Sequence, residues 1–213
     1  MGLYVTFEGI DGCGKSTQAK LLYEYLVKQK IATVCIREPG STKVGKMLRE
    51  LVLEECNRNY SGLTEACLFL IDRAETYSKI TKKKLRENYV VISDRGLDSS
   101  IAYQEEQYFE FISIGNSLAL ENIKPDLTFL IDVPVEEIKK RKRIKPDYYD
   151  SIAQNYKEKI RDRYLEVAQK NIDRVIIIDG TQNEETIARI IRCNIERKLH
   201  YVQNFPVLYS AEI

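Results

Sequence analysis

Five short apolar runs alternate along the chain with longer stretches in which apolar positions recur every three or four residues. The runs, Leu3–Glu8, Thr33–Arg37, Tyr89–Ser93, Leu127–Ile131 and Arg174–Ile178, read as β-strands. Three of them are almost continuously apolar, as expected of strands covered on both faces of a parallel sheet. A helix is predicted from about Ser16 to Gln29, with Ala19, Leu22 and Leu26 on one side, and another after Gly180, carrying Ile187, Ile190, Ile191 and Ile195. Strand–helix alternation of this kind predicts a doubly wound α/β domain that binds its ligands beyond the carboxyl ends of the strands.

No repeat or Pro/Gly-rich linker divides the chain, so residues 1–213 read as a single domain. Its irregular piece is Lys139 to Asp150, a basic excursion between two helical patterns and a candidate lid, with Asp150 or Ser151 capping the helix that follows. From His200 to Ile213 the pattern loses its period, and Pro206 interrupts it.

Charge and composition narrow the function classes. With 33 basic against 32 acidic residues the net charge is +1, so no global field draws the protein to nucleic acid or an anionic membrane, and any anion site is local. Apolar runs are strand-sized, well short of the roughly 20 residues a membrane span requires. The first run leads straight into a glycine loop and reads as a core strand, not a signal peptide. Five cysteines, odd in number and without metal-ligand spacing, point to reduced thiols and a cytoplasmic setting.

Gly9-Ile10-Asp11-Gly12-Cys13-Gly14-Lys15-Ser16 matches the phosphate-loop pattern G-x-x-x-x-G-K-[ST] between a strand and an amphipathic helix that continues with Thr17. Glycines let backbone N–H groups turn toward a phosphate, and the helix N-terminus adds further donors. Lys15 is the residue expected to reach the β- and γ-phosphates of ATP, and Ser16 to hold Mg²⁺. The Asn-Lys-x-Asp and Asp-x-x-Gly elements of a GTPase are missing from the sequence. Strands are followed by arginines instead, Arg37, Arg73 and Arg95, which suit a second phosphate beside ATP.

Further motifs make the reading specific. Arg37-Glu38-Pro39-Gly40-Ser41-Thr42, Leu68-Phe69-Leu70-Ile71-Asp72-Arg73-Ala74, Asp94-Arg95-Gly96-Leu97-Asp98-Ser99-Ser100-Ile101-Ala102-Tyr103-Gln104, Pro125 to Pro134 and Tyr164-Leu165-Glu166 occur in order. From Leu3 to about Ile191 the chain resembles the thymidylate kinases. The resemblance implies a P-loop three-layer fold with a five-stranded parallel sheet in the order 2-3-1-4-5, a mobile basic lid and a homodimer. It implies ATP-dependent phosphorylation of deoxythymidine monophosphate (dTMP) to the diphosphate, with Mg²⁺. On this resemblance Asp11 accepts the sugar 3′-hydroxyl, Phe69 stacks on thymine and Arg73 bonds the pyrimidine edge. Arg95 holds the monophosphate, Asp94 partners the metal, Ser100 reads the base and Tyr103 packs near C2′. Glu38 and Pro39 close the far side of the acceptor site.

Two positions depart from the family pattern. Gly96 stands where an aromatic is common, which is expected to open space near the phosphate. Cys13 occupies the loop position that carries a basic residue in some members, so the lid must supply that charge through Arg143, the preferred candidate, or Arg141. Alternatives to dTMP are another nucleoside monophosphate or a deoxynucleoside as acceptor, or a non-catalytic nucleotide-binding or nucleic-acid-binding module. The single histidine, His200, lies outside every motif. In-line transfer to an already anionic phosphate requires no catalytic histidine.

Overall fold

In the computed structural model, which describes residues 2–53, 60–141 and 154–201, the five strands are β1 (Leu3–Glu8), β2 (Thr33–Arg37), β3 (Val90–Asp94), β4 (Leu127–Asp132) and β5 (Val175–Asp179). They form one sheet in the order β2-β3-β1-β4-β5, every neighbouring pair parallel. The helices are α1 (Lys15–Lys28), α2 (Lys43–Leu53), α3 (Gly62–Thr76), α4 (Lys82–Arg86), α5 (Leu97–Tyr103), α6 (Phe109–Ala119), α7 (Val135–Lys140), α8 (Gln154–Lys170) and α9 (Glu184–Tyr201). The lid beyond Arg141, with Arg143, Asp150 and Ser151, and the tail beyond Tyr201 lie outside the described residues.

All five expected strands are present, with small shifts that share a cause. The third and fifth move one residue toward the C-terminus and the fourth gains Asp132, so that the strands end on Glu8, Arg37, Asp94, Asp132 and Asp179. Charged residues break an apolar pattern, yet they stay in the sheet here because the carboxyl edge faces a ligand crevice. Helix α9 also runs on to Tyr201, two residues into the stretch expected to be irregular.

The sheet is buried differently on its two faces. Leu3, Val5 and Phe7 of β1 join Phe129 and Ile131 of β4 in the main core with Leu22 and Leu26 of α1 and Ile187, Ile191 and Ile195 of α9. The alternate positions of β1 carry Thr6 and Glu8, fully buried and polar. Thr6 and Thr128 share a hydrogen bond of 2.7 Å, and Ser99 of α5 donates to Glu8. Farther along the same layer, Arg174 grips Asp98 of α5 through two bonds of 2.7 and 2.8 Å and donates to Thr128 at 3.0 Å. Such buried polar groups survive only when paired. The pairing fixes α5, the helix that carries the acceptor-site motif, at one height over the sheet.

Candidate active site

The loop from β1 to α1 is shaped by glycine. Gly9, Gly12 and Gly14 have φ of 135°, 86° and 109°, the left-handed region that side chains disfavour. A Cβ on Gly9 would stand 2.6 Å from the Ile131 carbonyl oxygen. Lys15, 5 % exposed, donates to the Gly9 and Ile10 carbonyls at 2.8 and 2.9 Å, which keeps its ammonium inside the loop. Ser16 donates to Asp94 Oδ2 at 2.6 Å. These two hard oxygen donors, from the loop and the end of β3, fit Mg²⁺ better than a soft metal. Cys13 is buried, with its sulfur 3.8 Å from the Lys15 ammonium.

Beside this loop lies a cavity that opens to solvent. Its lining includes all eight residues expected to bind the acceptor, namely Asp11, Glu38, Pro39, Phe69, Arg73, Arg95, Ser100 and Tyr103. Four elements supply them: the phosphate loop, the segment after β2, helix α3, and the β3–α5 connection with α5. The lining also includes Arg37, one of the three arginines that suit a second phosphate, together with Arg49, Leu53, Ser99 and Gln104, which sequence reasoning did not assign to it. Ser99 and Gln104 stood inside a quoted motif and so carried a usable signal. Arg49 and Leu53 carried none, being ordinary positions of a helix.

Arg95 joins the two halves. It leaves the end of β3 with φ 74°, held by its own N–H on the Phe7 carbonyl at 3.0 Å. Its guanidinium donates to Asp11, to Ser99 at 3.2 Å and to the hydroxyls of Tyr103 and Tyr164 at 3.3 and 3.4 Å. Burial disfavours its charge, but Asp11, Tyr103, Tyr164 and Asp94 together outweigh that and the guanidinium is held more firmly protonated than usual. Arg73, 2 % exposed, donates to Glu38 at 2.8 Å, Ser100 at 2.7 Å, Asn116 at 2.5 Å and the Gly96 carbonyl at 2.7 Å. Burial raises the Glu38 carboxyl above its ordinary value, against the pull of Arg73.

Gly96 corrects an expectation. A Cβ there would meet Thr6 Cγ2 at 2.9 Å, so the missing side chain opens no space and instead lets the backbone lie on β1. Its carbonyl is thereby free to receive Arg73. Of the two lid arginines, Arg141 is within the described residues and reaches the phosphate loop, donating to the carbonyls of Gly12 at 3.1 Å, Cys13 at 3.0 Å and Gly180 at 2.6 Å.

Beneath the cavity, Glu8 receives the backbone N–H and hydroxyl of Ser99 and the hydroxyl of Tyr164. Burial pushes its carboxyl up to about 7, helped by nearby Asp98 and opposed by the Ser99 bond. Neither Glu8 nor Asn116 was singled out in the sequence, because each is tied to the site only through tertiary contact.

The arrangement is a phosphate loop sharing an arginine with an adjacent, arginine-lined cavity. The family model described as thymidylate kinase matches residues 7–191. A thymidylate kinase of Sulfurihydrogenibium sp. is 37 % identical over 201 residues, covering 93 % of this chain and 98 % of that protein. One from Fervidobacterium nodosum is 40 % identical over 195 residues, covering 89 % and 96 %. The crystal structure of thymidylate kinase from Ehrlichia chaffeensis superposes with a TM-score of 0.70 at 32 % identity, covering 91 % of this chain and 98 % of that one. With matches of this extent along nearly its whole length, this chain belongs to the thymidylate kinase family of P-loop kinases.

Proposed function

We propose that this enzyme transfers the γ-phosphoryl group of ATP to the 5′-phosphate of dTMP, releasing dTDP and ADP. The observation that carries the reading is Arg95, which touches Asp11 of the phosphate loop and Tyr103 of the acceptor cavity at once. A group so placed can hold the acceptor phosphate while facing the phosphoryl being transferred.

In the reaction a monophosphate oxygen forms the new bond to the γ-phosphorus as the bond to the β,γ-bridging oxygen breaks, and the electron pair leaves on ADP. The protein's task is to offset the repulsion between two polyanions. Lys15 meets the β- and γ-phosphates and Arg95 the acceptor phosphate, with a lid arginine, Arg141 or Arg143, adding charge. Ser16 and Asp94 would hold Mg²⁺, which neutralises phosphate charge when bound. Gly9 to Thr17 cradle the ATP phosphates through backbone N–H groups and hydroxyls. In the cavity Phe69 stacks on thymine, Arg73 and Ser100 meet the base edge, Tyr103 walls C2′, Asp11 takes the 3′-hydroxyl, and Glu38 with Pro39 closes the far side.

The reading also treats residues 1–213 as one kinase domain with a lid at 139–150, working as a cytoplasmic homodimer. Among the described residues no helix is long and apolar enough to cross a membrane. Met47 and Leu51 of α2, Ile71 of α3, and Ile114 and Leu118 of α6 are exposed on three helices packed in succession, apolar surface that a second copy would cover. ADP formation measured across dTMP, dUMP, dCMP, TMP and the free nucleosides tests the proposal. Preference for dTMP is expected, and a preference for an uncharged nucleoside would overturn it.

A further inference from the structure

Helix α6 is pressed against α3 where a Cβ on Gly115 would come within 2.5 Å of Leu70 Cδ1. The next residue, Asn116, is thereby brought to Arg73, and its Oδ1 accepts from Arg73 Nη1 at 2.5 Å. Asn116 is 6 % exposed, and its Nδ2 is buried with no partner among the described residues. Leaving an amide N–H₂ orphaned is costly, and an apolar residue of the same shape would avoid that cost. The orientation is set by the partner, because Arg73 has only donors and the facing amide atom must therefore be oxygen.

Arg73 has five N–H groups. Four have acceptors: Nε–H on Glu38 Oε2, the two of Nη1 on Ser100 Oγ and Asn116 Oδ1, and one of Nη2 on the Gly96 carbonyl. One Nη2 N–H is left over among the described residues. Arg73 lines the acceptor cavity while Asn116 does not. Glu38, Ser100 and Gly96 belong to segments that themselves line or border the cavity, whereas Asn116 anchors the guanidinium from behind.

We infer that Asn116 is a positioning residue for acceptor selection: it saturates Nη1 so that Arg73 presents a single N–H to the cavity, matched to one carbonyl on a pyrimidine edge. This rests on reading Arg73 as the donor to the acceptor base. Without Asn116 a second N–H is freed and the guanidinium can turn in its plane. A keto group at C4 then loses its advantage over an amino group, which cannot accept.

The test compares dTMP with 5-methyl-dCMP, which carries the same methyl group and sugar but an amino group at C4. Steady-state ADP release is measured for the parent, Asn116→Leu, Asn116→Ser, Asn116→Asp and, as a control on the base-edge reading, Arg73→Lys. Asn116→Leu and Asn116→Ser are expected to raise KM for dTMP about tenfold and lower the dTMP to 5-methyl-dCMP ratio of kcat/KM about tenfold, as loss of one charge-assisted bond allows. KM for ATP should stay at the parent value. Asn116→Asp keeps the acceptor oxygen and should restore both quantities to within about threefold of the parent. A parent-like KM and ratio in a variant with a cooperative melt overturns the inference. So does a uniform fall in kcat with both KM values raised and no rescue by Asp, the mark of a packing role. If Asn116→Leu does not fold, the smaller Asn116→Ser decides. If Arg73→Lys leaves the ratio unchanged, the base-edge reading fails and this inference with it. If Arg73→Lys collapses the ratio and the Asn116 variants do not, this inference alone fails.

Discussion

Tyr103 donates its phenolic hydrogen to Asp11 Oδ2 at 2.7 Å, linking the last residue of α5 to the middle of the phosphate loop. Arg95 lies over the Tyr103 ring at 4.9 Å and bonds the other Asp11 oxygen. The acidic residue assigned to the sugar 3′-hydroxyl is therefore already oriented by the wall assigned to C2′.

Two variants separate these roles. Tyr103→Phe removes a hydrogen bond to a charged group, worth about 1.5–3 kcal/mol, and should lower kcat/KM for dTMP at least tenfold. The ribo-to-deoxy preference should barely change, because the ring remains. Tyr103→Ala removes the wall as well and should narrow the preference for dTMP over ribothymidine monophosphate. The check is kcat/KM for both acceptors, and an unchanged ratio in the alanine variant would leave sugar selection to another residue.

Lys15→Ala should abolish measurable phosphoryl transfer. Its ammonium bonds two loop carbonyls, so the empty loop should also lose some order, but the sheet beneath does not depend on it. The expected result is a loss of kcat of at least about a hundredfold with a melting temperature within several degrees of the parent. Activity near the parent level in a folded variant would remove Lys15 from the mechanism.

How much of this was legible beforehand follows the range of the interactions. The phosphate loop and the Phe69–Arg73 pair are local patterns, and the acceptor motifs are contiguous, so all eight acceptor positions fell on one cavity. Thr6 and Glu8 were hidden inside an apparently uniform strand. Only Thr128, Ser99 and Tyr164, far away in sequence, explain why a polar side chain is tolerated there. Gly96 was misjudged for the same reason, since the obstacle is Thr6 across the sheet rather than any neighbour in the chain.

The lid arginines should differ in kind. Arg141 holds carbonyls on both sides of the ATP-binding edge, so Arg141→Ala should chiefly raise KM for ATP. Arg143→Ala should chiefly lower kcat, because charge contributed on closure acts during transfer. Initial rates with ATP and dTMP varied independently distinguish the two, and a large kcat loss confined to Arg141→Ala would reverse the assignment.

The buried carboxyl of Glu8 gives the stability a measurable pH dependence. Its folded value of about 7 lies above the ordinary 4.5, so between these limits the folded protein binds the proton more tightly than the unfolded chain does. That contribution is complete below about pH 4.5 and is lost as pH rises through 7, where Glu8 must ionise among Asp98 and buried neighbours. Glu8→Gln keeps the shape and cannot ionise. It loses part of the bonding to Ser99 and Tyr164 at every pH, which lowers the melting temperature by a constant amount. The titrating part behaves differently: relative to the parent, the variant should gain on the order of 2–3 kcal/mol between pH 5 and pH 8. At this chain length that corresponds to roughly 4–12 °C in melting temperature. Thermal melts of both proteins across that range check it. Asp72, also raised to about 7 by burial and by Glu38, titrates in the same window but is common to both proteins and cancels in the difference. Parallel curves for parent and variant would mean that Glu8 is ionised in the folded enzyme throughout, held so by Arg95 and Lys15.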